Sequence, residues 1–424
     1  MEVAILSNKL NLLVVGSGGR EHAICKAFSK SQIVENVYCA PGNVAMESSK
    51  IKPVSIPELN FEELANFVIA NKIDWTFVGP EDALVAGIVD YFKERGLAIF
   101  GPNKIASQLE GSKDFALNFM VNHEIPTARY QTFQKSENAI KALTNFSAPI
   151  VIKADGLAGG KGVTIANTSD EAVDVIKKMF DNGETQIVLE EFLNGPEYSL
   201  FVIVNGSDFQ ILPMAQDHKR AFDNDSGPNT GGMGAYSPVP QLAQEDYQNM
   251  IVKVVEPSIK GLNSEQFDYH GILYIGLILT EQGPKVIEYN VRLGDPETQV
   301  VLPRLESDFA QVIDDCINGL KMEKLSINPQ ACLNVVLAAE GYPTNPRKGQ
   351  LLPSFTQEPG ISIDYANVIK DGDQFYGNGG RILSVVSIQK TLIEAQKKAY
   401  SYMKNYEFEN CRFRKDIGNK AFKD

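Results

Sequence analysis

The sequence is poor in the residues that usually announce a metal or a nucleophile. Its four histidines (His22, His123, His218, His270) are scattered and do not form a spaced ligand set. Its five cysteines (Cys25, Cys39, Cys316, Cys332, Cys411) include no C-x-x-C pair. That excludes a recognisable zinc site and a disulfide framework, and favours free thiols in a reducing cytoplasm. No apolar run approaches the length of a membrane span, and residues 1–10 lack the apolar core of a signal peptide, so no membrane partner is expected. Positive charge is also short. With 40 basic against 53 acidic side chains the net charge is −13, which excludes a general nucleic-acid binder with a basic face. There is no G-x-S-x-G elbow and no Cys/His pair supported by spacing, so no nucleophilic triad is legible. There is no internal repeat either.

What remains is an ordinary globular composition, long enough at 424 residues for two to four compact units. Glycine is plentiful, and two glycine-rich turns bear on phosphate. "VIKADGLAGGKGVTIA" (151–166) resembles a P-loop but is not one: Gly156 to Gly160 is one residue too short. Gly162 also stands where a metal-binding hydroxyl belongs. Lys153 at the end of a β-branched run and Lys161 eight residues later could instead clamp a polyphosphate, with glycine amides approaching closely. "VVGSGGREHA" (14–23) breaks the dinucleotide fingerprint, because Glu21 occupies the third glycine position. A glycine turn opening a helix still offers free N–H groups to an anion, and Arg20 adds a fork of donors. A tight turn serving only strand–helix packing is the other reading.

The order of patterns predicts a parallel α/β unit over 1–104, with ligand-binding turns at the carboxyl ends of its strands. A helical pattern runs from about 105 to 130. An α+β block, the lid of an expected middle unit (105–326), spans about 128–200. "AQDHKRAFDNDSGPNTGGMGAYSP" (215–238) is too rich in Gly, Asn, Asp and Pro for a regular element and reads as a functional loop. A small α+β unit is expected over 327–424.

Two further segments carry chemistry. In "VLEEFLNGPEYS", a strand edge with Glu190, Glu191 and Glu197 could read adenine and ribose, or could be a solvated acidic face. In "EYNVRLGDPE", Glu288 and Asn290 share one strand face. They could hold Mg²⁺ that takes its other ligands from phosphates and water. By the same count Arg292 could face a transferring phosphoryl group or an oxyanion. His218, in "QDHKR", is the one histidine in a plausible site, and a structural role is equally open.

Together "GSGGREHAI", "PGN" (41–43), "VGPEDALVAGIVD", "LEGSKDF", "KADGLAGGKGV", the 215–238 stretch, "EYNVRLGDPETQVVLPRLESD", "VVLAAEGYP" and "RKDIG" resemble the glycinamide ribonucleotide synthetase family of the ATP-grasp superfamily. The resemblance covers nearly the whole chain. It implies an N-terminal parallel α/β domain, an ATP-grasp core with a mobile lid, and a small C-terminal α+β domain. It implies ATP-dependent joining of glycine to 5-phosphoribosylamine through a glycyl phosphate, in de novo purine biosynthesis. The alternative is another ATP-grasp carboxylate–amine ligase.

By the same resemblance Lys113 and Lys153 face the nucleotide phosphates under a lid that includes Gly159, Gly160, Lys161 and Gly162. Glu190, Glu191, Phe192 and Leu193 face the adenine, and Glu197 the ribose. Glu288 and Asn290 match the Mg²⁺ or Mn²⁺ ligands, and Arg292 a substrate and oxyanion contact. Gly18, Gly19, Arg20 and Glu21, with Pro41, Gly42 and Asn43, would receive the phosphoribosyl group, while Asp217 and Asp295 place the amino substrates. A transient contact with the enzyme that supplies phosphoribosylamine is also implied. Leu293 where the family tends to have Phe, Gly159 where Ala is common, and "VIKDGDQFYGNGG" (368–380) depart from the family pattern.

Overall fold

The computed structural model describes residues 9–157 and 162–422. The lid residues Gly159, Gly160 and Lys161 lie outside the described residues. The first unit is a five-stranded parallel sheet of order β3-β2-β1-β4-β5. Its strands are β1 (Leu10–Gly16), β2 (Val34–Pro41), β3 (Ile51–Pro53), β4 (Trp75–Val78) and β5 (Ile99–Phe100). Near-continuous apolar runs suit strands buried on both faces. Register sets Gly16 beside Pro41 and Val15 beside Val78, so three strand ends open at one edge. Helix Gly19–Ser29 leaves the first of these ends.

The expected helical stretch over 105–130 is broken into Gln108–Gly111 and Lys113–Asn122. Ser112 causes the break. It adopts an extended conformation and its hydroxyl caps Phe115 N–H at 3.2 Å, starting a second helix at Lys113. The lid is an antiparallel sheet of order β6-β9-β7-β8. Its strands are β6 (Tyr130–Phe133), β7 (Ile150–Ala154), β8 (Val163–Ala166) and β9 (Ile187–Glu191). Helices Ser136–Ala142 and Ser169–Asp181 complete it, and Ala139, Phe146, Ile150, Ile152, Ile176 and Leu189 belong to a core of its own. A separate core lets a unit move as one body. A second antiparallel sheet carries Asp208–Ile211, Glu197–Asn205, His270–Thr280 and Gly283–Asn290 in that order.

The polar stretch expected as a loop is partly strand. Gln216–Asp217 and Gly234–Ser237 extend the C-terminal sheet, pairing onward to Ala331–Ala339, Arg381–Gln389 and Ile361–Tyr365. Arg220–Phe222 and Ser226–Asn229 form a hairpin between them. Glycine makes the close approach possible: a Cβ on Gly234 would stand 2.6 Å from the Asn334 carbonyl oxygen. Asn334 fixes the register by accepting from Ala235 N–H at 3.2 Å and donating to the Pro296 carbonyl at 2.7 Å. Middle and C-terminal segments therefore share one sheet. Among the described residues no helix is long and apolar enough to cross a membrane.

Candidate functional site

A cleft of about 770 Å³ opens between the lid, the strand Gly283–Asn290 and the edge of the N-terminal sheet. Period-two alternation delivers its residues. On β7, Ile150 and Ile152 enter the lid core while Val151 and Lys153 line the cleft. Lys153 is buried there, 2.8 Å from Glu190 and 3.2 Å from the Ile287 carbonyl. Across the cleft Glu288 and Asn290 face inward, whereas Tyr289 between them turns into the core and bonds Ser258. Glu288 stands opposite Gly276, whose missing side chain leaves its stem room.

The cleft has an apolar end and a polar end. Val151, Ile165, Leu117, Met120, Phe192 and Ile278 make the first, which suits a flat base. Leu193 and Gly162 also line the cleft. Glu191 borders it, but its carboxylate is held by Arg129 N–H at 3.0 Å and Lys285 at 3.1 Å. At the polar end Glu197 pairs with Lys219 at 3.0 Å, and that ammonium holds its carboxyl below the usual range. Lys113, first residue of its helix, donates to the Gly156 carbonyl at 2.7 Å, and burial lowers its ammonium. Asp155 ties helix to lid by accepting from Lys113 N–H at 2.6 Å and Gln186 Nε2 at 2.9 Å.

The N-terminal glycine turn meets the cleft through Arg20. Glu21, whose place in the sequence broke the dinucleotide pattern, folds back to accept from Gly18 N–H at 2.7 Å and Arg20 Nε at 2.5 Å. Its side chain fills space that glycine leaves: a Cβ on Gly16 would lie 2.5 Å from Glu21 Cγ, and one on Gly79 2.2 Å from Oε1. Arg20 reaches Glu81 at 3.5 Å, and Glu81 in turn holds Arg292 at 3.0 Å. Arg292 also contacts Glu110 at 2.6 Å and Asn290 Oδ1 at 3.1 Å. Charge attraction from Arg292 drives the Glu81 carboxyl far down, while burial raises Glu110 to about 7. Arg20 and Arg292, 272 residues apart, thus share one carboxylate.

The remaining expected residues divide. Asp295 lines the cleft, bonded to Arg381 at 3.1 Å and Gln299 at 2.8 Å. Asp217 lines it too, and burial lifts its carboxyl to about 7. Gly18, Gly19, Glu21, Pro41, Gly42 and Asn43 stand behind the lining at the sheet edge. Asn43 is fully engaged: its amide donates to the Ser17 and Ala366 carbonyls at 3.1 and 2.8 Å and its oxygen accepts from Ala45. His218 is held at about 3 by burial, hence neutral near pH 7, and accepts from Gly418 N–H at 3.3 Å. His22 accepts from Tyr365 N–H at 2.8 Å, a packing role. Sequence reasoning missed Glu81, Glu110, Glu297, Lys219, Arg381 and Lys420, all of which line the cleft. Of these only Glu81, at the end of a parallel strand in "GPED", lay where a ligand-facing residue is expected.

Three family descriptions match the chain: the phosphoribosylglycinamide synthetase N domain over 10–110, its ATP-grasp (A) domain over 111–298 and its C domain over 332–420. The chain is 49% identical to a Streptococcus suis phosphoribosylamine–glycine ligase, over 98% of this chain and all of the relative. It is 46% identical to one from Streptococcus pneumoniae serotype 4 over the same shares. A crystal structure of phosphoribosylamine–glycine ligase from Thermotoga maritima superposes with a TM-score of 0.85 at 34% identity, covering 96% of this chain and all of that one. A Campylobacter jejuni biotin carboxylase in complex with a nucleotide shares the fold, with a TM-score of 0.74 at 14% identity over 95% of this chain and 92% of that one.

Proposed function

Since this chain belongs to the phosphoribosylamine–glycine ligase family of ATP-grasp enzymes, it is an ATP-dependent ligase joining glycine to 5-phosphoribosylamine, and we propose that it works by positioning and charge neutralisation rather than by a strong base. The observation that carries this reading is the convergence of Lys113, Lys153, Glu288, Asn290, Arg20 and Arg292 on one cleft. The nucleotide base occupies the apolar end, with Phe192 and Leu193 beside it, and Glu190 and Glu197 further along. Lys113 and Lys153 neutralise phosphate oxygens. Gly162 borders them on the lid side. Arg292 faces the charge that develops on the transferring group and on the carbonyl oxygen.

The carboxylate of glycine attacks the terminal phosphorus of ATP, forming a glycyl phosphate and releasing ADP. The amine of phosphoribosylamine then adds to the acyl carbon. Phosphate leaves with the former carboxylate oxygen, and the amine gives up a proton. Asp217 and Asp295 place the amino groups, and the turn at 18–21, with 41–43 behind it, receives the phosphoribosyl group beside Arg20.

Glu288 and Asn290 fit a hard divalent cation. Both side chains line the cleft and carry oxygen donors, and Asn290 Oδ1, which accepts from Arg292 at 3.1 Å, keeps a second lone pair for a cation. Among the described residues no group of three or more His, Cys, Asp or Glu side chains could hold a metal, and a two-ligand site shared with phosphates needs none. Mg²⁺ or Mn²⁺ there would neutralise phosphate charge. Glu288→Gln should lower turnover more than about 100-fold, since even changes behind a ligand cost 10–100-fold, and leave the unfolding midpoint in place.

The division into units 1–104, 105–326 and 327–424, a cytoplasmic location, and a passing contact with the enzyme supplying the unstable amine complete the reading. The test is ADP release by purified protein. It should require glycine and phosphoribosylamine together, and equal turnover with another amine would overturn the assignment.

A further inference from the structure

The segment "RKDIG" (414–418) does not line the cleft, yet many bonds hold it. The Arg414 side chain is 1% exposed. It donates to Asp416 at 2.8 and 2.7 Å, to Asp225 at 2.8 Å and to the Arg220 carbonyl at 3.0 Å. Asp416 accepts from Asn224 N–H at 2.9 Å, and Asp223 accepts from Lys415 N–H at 2.8 Å. Gly418 N–H donates to His218, whose imidazole is neutral. These contacts clasp the end of the chain to the loop 217–225, nearly two hundred residues earlier. Burying the Arg414 guanidinium costs desolvation, which these partners offset.

What the clasp positions is Lys420, whose side chain enters the cleft beside Asp217. Compare the described lysines of the cleft. Lys153 has Glu190 at 2.8 Å, Lys219 has Glu197 at 3.0 Å, and Lys113 has a carbonyl at 2.7 Å. Among the described residues Lys420 has Asp225 at 3.3 Å and the Asp217 carbonyl at 3.4 Å. Its partners are the longest of the four, and Asp225 already accepts from Arg414. Of the three donors of this ammonium two are in long contacts and one is left for a ligand.

We propose that Lys420 contacts an anionic oxygen of the glycine moiety, as carboxylate and then as acyl phosphate, at the Asp217 end of the cleft, and that the 414–418 clasp holds it there. This rests on the reading that Asp217 places glycine. Within that reading Asp217 takes the ammonium of glycine and Lys420 the opposite charge of the same molecule. The two side chains then select a zwitterion by its two ends.

Steady-state kinetics on the full chain test it. Lys420→Met should raise the KM for glycine about tenfold or more, leave the KM for ATP within about twofold, and leave the unfolding midpoint unchanged. Lys420→Arg should recover most of the loss. A normal glycine KM in Lys420→Met, with a raised one in Asp217→Asn, overturns this inference and spares the placement of glycine. A normal glycine KM in both overturns that placement and the inference with it. A rise confined to the KM for ATP overturns the inference by assigning Lys420 to the nucleotide.

Discussion

The turn at Gly16–Glu21 and the start of the lid loop at Asp155–Gly156 are both written with glycine, and the structure uses glycine differently in each. At the turn, glycine makes space. Glu21 occupies volume that a Cβ on Gly16 or Gly79 would take, and then pins Gly18 N–H and Arg20. At Gly156 a Cβ would meet nothing within 4 Å, and only its φ of +106° calls for glycine. The turn is packed into the body of the molecule, whereas the lid has a core of its own and is stapled to the body through Asp155. Glycine content alone does not separate a fixed turn from a lid. What fills the missing Cβ does.

That contrast can be broken from either side. Gly79→Ala drives a methyl into the pinned Glu21 and should cost about 1–3 kcal/mol by urea unfolding, while displacing Arg20 and raising the KM for phosphoribosylamine. Gly156→Ala should leave that KM untouched. Its strain of about 1–2 kcal/mol falls on the lid loop and should show as a weaker ATP KM.

Asp155→Ala removes the staple, including acceptors for Lys113 N–H and Gln186. The KM for ATP should rise about tenfold, as expected for one or two lost charge-assisted bonds, with the phosphoribosylamine KM unchanged.

The smallest effect is a pH dependence at the polar end. Burial holds the Asp217 carboxyl at about 7, above the ordinary carboxylate range. On the proposed placement of glycine beside Asp217, the ionised carboxyl would attract its ammonium, so the KM for glycine should fall severalfold between about pH 6 and pH 8. The sign for stability is opposite. A raised pKa in the folded state means that stability present at low pH is lost as pH rises through 7. Asp217→Asn should flatten the glycine KM profile.

Much of this was legible in sequence. The parallel N-terminal sheet, the lid strands and the inward pair Glu288 and Asn290 follow from local periodicity. So does the failure of the P-loop pattern at 156–162, where Gly162 replaces the metal-binding hydroxyl. Other features were not legible because their partners are remote. Glu81 is ordinary until the fold sets it between Arg20 and Arg292, and Lys420 until residues 217–225 receive the clasp. Glu21 broke a motif by one letter, and only the structure shows its side chain filling the space that Gly16 and Gly79 leave. The stretch 215–238 misled because glycine and asparagine disfavour isolated strands, while its partner strand Ala331–Ala339 lies a hundred residues on.

The most direct test of the account follows the oxygen. With glycine carrying ¹⁸O in both carboxylate positions, one labelled oxygen should leave in each inorganic phosphate formed and one should stay in the product amide. Unlabelled phosphate would contradict activation of glycine as an acyl phosphate, and with it the roles given to Arg292 and the two phosphate lysines.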